Sequence, residues 1–162
     1  MNDNIAKQRS AQKRRRDKAI LIMMGGNLPD RLKITTYDIA ASARPGCHYE
    51  WAWIAQTELS RRVGVSARTI RKFVKLLGEL QIFQVERMGP SQWTAALHAR
   101  YGYPLPKTKS PHRFIGYTIC WSHPVWESGR LPAEDLVRIQ ESLRPTIRES
   151  RETGTYTSGF GG

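Results

Sequence analysis

The chain has 162 residues, enough for one domain or a small domain with appendages, and 40% of them are apolar. Lys and Arg number 26 against 14 Asp and Glu, giving a net charge of +12 and an isoelectric point near 10.2, which points to a polyanionic partner. Two cysteines, Cys47 and Cys120, exclude a disulfide framework, and no apolar run reaches the roughly 20 residues of a bilayer span.

The charge is unevenly placed. Met1 to Lys33 holds nine basic and three acidic residues, Gln56 to Leu76 six and one, and Leu131 to Glu152 four and five. The excess therefore sits on an N-terminal segment and on one central stretch, the distribution that nucleic-acid binding requires. The apolar run Ala19 to Met24 is shorter than a secretory h-region, so a reducing, cytoplasmic and nucleoid-associated setting without membrane contact is expected.

In chain order, Ala6 to Met24 is made of helix formers. Ile20, Met23 and Met24 share one face, and Gly25-Gly26-Asn27 supplies a stop. The last turns are expected to dock on the core. Residues 1–18, with Arg14, Arg15 and Arg16, are expected to form a phosphate-contacting arm, since each neutralised phosphate releases counterion. Leu28-Pro29-Asp30 reads as a turn. Thr35 or Thr36 suits the N-cap of a short helix through Ile39, Ala40 and Ala43, closed by Pro45-Gly46, although Lys33 to Tyr37 also has strand character. Cys47 to Glu50 reads as a loop. Trp51, Trp53 and Ile54 then bring apolar surface, and the tryptophan pair is expected in the core rather than stacked on bases.

Thr57 to Leu77 has the layout of a helix-turn-helix. Leu59 and Val63 on a short helix face Ile70 and Phe73 on a second, with Gly64 at the sharp turn, Val65 plugging it and Ser66 as N-cap. Ala67, Arg68, Arg71, Lys72 and Lys75 fall on the outer face, beside Thr69. Arg68 and Arg71 suit guanine edges, because guanidinium pairs bidentately with O6 and N7. Lys72, Lys75, Arg61 and Arg62 suit phosphates, which position without specifying sequence. Ile82 to Arg87 and the alternating segment Trp93 to Tyr101 read as two strands of a wing whose Met88 to Gln92 tip, flanked by Arg87, reaches a neighbouring groove.

Gly102 to His112 is rich in Pro and Lys and reads as a stiff linker. Phe114 to Trp121 is a possible third strand and Ser122 to Leu131 a loop. Pro132 opens a helix carrying Leu136, Val137, Ile139 and Leu143, broken near Pro145. The organisation expected is 1–18 basic arm, 19–101 winged domain, 102–155 linker plus C-terminal extension, and 156–162 tail.

The run Trp53 to Arg87 resembles the winged helix-turn-helix of bacterial regulators and of plasmid and phage replication initiators. Leu59, Gly64-Val65-Ser66, Thr69-Ile70 and Leu77 carry the likeness, followed by GELQIF at 78–83. The resemblance implies that the helix opening at Ser66 reads the major groove and that the hairpin contacts an adjacent groove or backbone. The segment RRRDKAILIMM (14–24) is similar to the helix preceding the motif in replication-type members, which makes Asn27 to Glu50 an insertion. Ser60, where this motif often has Ala, is a departure.

Chemical motifs are weak elsewhere. Cys120 and His123 have C-x2-H spacing, but the second doublet, Cys47-His48, is adjacent in sequence and suits one metal poorly. Neither a G-x-S-x-G nor a Walker pattern is present. The expectation is a mainly α protein with a small β-hairpin wing and no catalytic residue, metal or cofactor. It would be a homodimer, paired through the Ala133 to Arg148 helix, on double-stranded DNA. Transcriptional repression is the first expected use and plasmid or phage replication control the second. A protein-interaction adaptor on the same scaffold is the third.

Overall fold

The computed structural model describes residues 3–45, 48–88, 95, 98–99 and 114–144. The chain separates into two units, Met1–Leu131 and Pro132–Gly162, each taken by itself below.

The first unit opens with α1 (Asp3–Met24), whose buried residues are Ile20 and Met23. Residues 3–10 are exposed throughout. The end of α1 is pinned to the chain just before the unit closes. Asn27 N–H donates to the Gly129 carbonyl at 2.9 Å, and its side chain exchanges bonds with both backbone groups of Leu131. At this crossing the backbones nearly touch, and a Cβ on Gly26 would lie 1.8 Å from the Gly129 carbonyl oxygen.

The next helix, α2 (Asp30–Ala41), starts earlier than expected. Pro29 pre-sets the entry and Asp30 complements the helix dipole. Thr35 and Thr36 are therefore mid-helix rather than caps. Both are fully buried, and their hydroxyls donate back to the carbonyls of Arg31 (2.8 Å) and Leu32 (2.7 Å), which satisfies them without a cap role. With Leu32, Ile39 and Ala40 they make one apolar face. α2 packs on α3 (Gln56–Val63) and α4 (Ala67–Glu79), so the segment Asn27 to Glu50 carries a helix of the core.

β1 (Trp51–Trp53), β2 (Phe83–Met88) and β3 (Phe114–Ile119) form an antiparallel sheet in the order β1-β3-β2. Ala52 and Val85 both face Tyr117 across the central strand. Within the expected return strand Trp93 to Tyr101, the described residues do not form a strand. Ala95, His98 and Ala99 are helical, and β3 returns instead. The reason is composition: alternation built on alanine buries little, and alanine favours helix, whereas FIGYTI is rich in β-formers. Phe114 to Ile119 is thus the centre of the sheet, not an accessory, and the unit runs past residue 101 to Leu131. The linker 102–112 and the wing tip after Met88 lie outside the described residues.

The core gathers Leu59, Val63, Ile70, Phe73, Leu76 and Leu77 with Trp51, Phe83 and Tyr117. Trp51 is 2% exposed and packs its ring 5.1 Å from that of Trp53, while the Arg44 guanidinium lies 4.0 Å over Trp53. Trp51 is thus in the core, as expected, whereas Trp53 is half-buried. Within the expected loop 122–131 lies a short helix, α5 (Pro124–Glu127), which packs on α1. His123 accepts the Val125 N–H through Nδ1 at 3.0 Å. That leaves the proton on Nε2, which donates to the Leu80 carbonyl at 3.0 Å. One neutral ring thereby joins the end of α4 to the start of α5.

The second unit contains α6 (Ala133–Leu143), with Pro132 at its N-cap and Glu134 and Asp135 favourably placed in its first turn. Val137 is exposed on it. Pro145, the expected break, and the tail 156–162 lie outside the described residues. Among those residues no helix is long and apolar enough to cross a membrane.

Candidate nucleic-acid interface

The α3–α4 corner is built as the residues demand. Gly64 ends α3 at φ +78°, a left-handed conformation that a Cβ would disfavour, and its N–H returns to the Ser60 carbonyl at 2.9 Å. The Ser60 hydroxyl donates to the Val65 carbonyl, so the departure from alanine gives the turn an extra tie. Ser66 has extended backbone angles, and its Oγ accepts the Thr69 N–H at 3.1 Å. The N-cap expected from sequence is present.

A second clamp was not visible in the sequence. From α2, Arg31 donates through Nη1 to the Val63 carbonyl at 2.6 Å, placing a cation where the α3 carbonyls point outward. Arg31→Ala is expected to destabilise the first unit by about 1 kcal/mol, because the guanidinium is partly solvated. Thermal unfolding should show a small drop, and an unchanged melting curve would mean water replaces the clamp fully.

α4 is sharply two-faced. Ile70, Phe73, Val74, Leu76 and Leu77 are buried; Ala67, Arg68, Arg71 and Lys75 are exposed, and Thr69 and Lys72 are half-buried. Arg68, Arg71, Lys72 and Lys75 recur at i, i+3, i+4 and i+7, which makes one cationic stripe. Between this stripe and β2 runs a cleft of about 560 Å³, where Arg71, Lys72 and Lys75 meet Arg87 over Val74, Gly78 and Val85.

Arg61 and Arg62 stand differently. Both pair with Glu58, through Arg61 Nε at 3.1 Å and Arg62 Nε at 2.9 Å. These hydrogen bonds, Arg61's first, hold the Glu58 carboxyl down to about 2, and Glu58 in turn pushes the Arg61 guanidinium up. Nearby, burial raises the Asp38 carboxyl, opposed by the Arg62 charge. Because the folded Glu58 value is depressed, the pairing is complete above its ordinary value of 4.5 and is lost as pH falls toward 2. An NMR titration should place the Glu58 midpoint near that low value, and Arg61→Ala should move it upward. A wild-type midpoint already at the ordinary value would show that the pairs do not persist in solution.

On α1, Arg14 and Arg15 are exposed, whereas Arg16 lies 4.5 Å over the Tyr49 ring and 3.0 Å from Asp17. Arg16 is thus used in docking α1 on the body. The sites expected from sequence fall into three places: α4 with Arg87, the Glu58-paired α3 arginines, and α1.

Comparison of the chain with protein-family models, curated proteins and solved structures finds no match.

Proposed function

We propose that the first unit is a winged helix-turn-helix and that the protein binds double-stranded DNA at a specific site, as a non-catalytic transcription regulator. The observation that carries this reading is the cleft in which Arg71, Lys72 and Lys75, from the exposed face of a helix whose other face is buried, meet Arg87 of β2. The succession α2-β1-α3-α4-β2-β3 with sheet order β1-β3-β2 supports the winged form, because it sets β2 directly after the exposed helix and pairs it antiparallel with β3. Pairing as a homodimer through α6 belongs to the same proposal, since a two-fold protein matches a palindromic site.

Salt dependence tests it. If about five phosphates are neutralised, affinity for a duplex of about 20 base pairs should fall roughly 10²–10³-fold between 50 and 200 mM salt. Undetectable binding at about 50 mM would sink the DNA reading in favour of a protein-binding scaffold. Sites selected from random duplexes then separate uses: palindromes indicate a dimeric regulator, and tandem direct repeats indicate a replication origin.

A further inference from the structure

The cleft between α4 and β2 combines two kinds of surface that a base edge and a backbone would value differently. Three of its residues, Val74, Gly78 and Val85, offer only apolar atoms from their side-chain positions, and Val74 is buried. The other four are cations, and among the described residues no carboxylate lines it. Arg68, one turn nearer the capped start of α4, is outside this lining.

Base edges in the major groove are rows of donors and acceptors, and pressing them on an apolar floor leaves polar groups unpaired at a cost. A sugar–phosphate strand alternates apolar deoxyribose with anionic phosphate, which is the pattern the cleft offers. The α3 arginines add to the argument. They share Glu58, so that helix presents less positive charge than its two arginines suggest, and the cleft becomes the stronger seat for phosphate.

Resting on the DNA-binding reading above, we infer that the α4–β2 cleft seats one phosphodiester strand of the duplex. Arg71 holds phosphate there together with Lys75 and Arg87, and the reading of bases falls to the first turn of α4, at Ala67, Arg68 and Thr69. This moves Arg71 from the base-reading role that its residue type suggested to a backbone-holding one. Arg68 becomes the specificity-determining arginine.

The test is selection from a random duplex library of about 20 base pairs with the full chain and its Arg68→Ala, Arg71→Ala and Arg71→Lys variants, followed by salt titration on the enriched duplex. Arg71 is exposed, and melting curves check that each variant is folded. Arg71→Ala is expected to weaken binding about 10-fold near 0.1 M salt and to reduce the salt slope by about 0.9, with enriched bases unchanged. Arg71→Lys should restore most of the affinity, since a phosphate needs charge and not a planar fork. Arg68→Ala should flatten the preference at one or two positions. Loss of a base preference in Arg71→Ala that lysine fails to restore would overturn the inference, as would an Arg71→Ala variant with unchanged affinity. Wild-type binding that enriches no sequence would overturn the division of labour while leaving DNA binding intact. Absence of any duplex binding by the wild type would instead overturn the parent reading, and this one with it.

Discussion

Replacing Gly26 by alanine is expected to lower the melting temperature by roughly 10 °C, corresponding to about 3 kcal/mol. The added Cβ would sit 1.8 Å from a backbone carbonyl oxygen and 2.5 Å from its carbon, where no side chain can swing aside. Relief requires the end of α1 to separate from Gly129, and the Asn27–Gly129 and Asn27–Leu131 hydrogen bonds go with it. Its neighbour provides the control. A Cβ on Gly25 meets nothing nearer than 3.6 Å, so Gly25→Ala should be neutral or stabilise by a few tenths of a kcal/mol through the unfolded state. Differential scanning fluorimetry of the two variants decides the matter. Equal melting temperatures would show that the crossing is looser than the backbone spacing implies.

The second large effect concerns the corner that aims α4. Phe73 is 5% exposed, on the buried face of α4, a helix that packs on α2, α3 and β2. Phe73→Ala should cost about 3–5 kcal/mol, a loss of apolar contact plus the cavity left behind. That is a large share of the roughly 5–15 kcal/mol holding a typical domain together. Every cation of the stripe survives the change, so on the proposed DNA-binding reading attraction to polyanions should persist while discrimination between duplex sequences is lost. Denaturant unfolding measures the first effect and competition between specific and random duplex the second. A variant that melts early yet keeps its full sequence preference would separate the fold of the corner from recognition. On the proposed DNA-binding reading, Arg68→Ala should give the converse pattern, altered preference with an unchanged melting curve.

Much of the central unit was readable because its determinants are local. Leu59, Val63, Ile70, Phe73 and Leu77 repeat with the helical period. The left-handed Gly64 and the Ser66 cap act within a few residues of themselves. The same holds for the Gly25-Gly26-Asn27 stop and for β2 after α4. Expectations failed where two conformations were locally acceptable. Thr35 and Thr36 are good caps and also good back-bonding helix residues, and the start at Pro29-Asp30 chose between them. Trp93 to Tyr101 alternates like a strand but is rich in alanine, so its pattern carried little burial energy.

The amino-acid order thus determined the two-faced α4 with its cationic stripe, the capped turn before it and the basic arm, each set by neighbours along the chain. Tertiary structure alone decided which strand pairs with β2, that α2 is part of the core, and that Arg31 closes α3. It also decided that Gly26 meets Gly129, and that Arg71 and Arg87 border one cleft. The physical reason is distance along the chain, for most of these. Strand pairing and backbone crossings join residues many positions apart, and their free energy appears only once the whole unit has closed. Arg71 shows the consequence: its residue type suited a base edge, and only the approach of β2 beside Gly78 completed the cleft around it with Val85 and a fourth cation, Arg87.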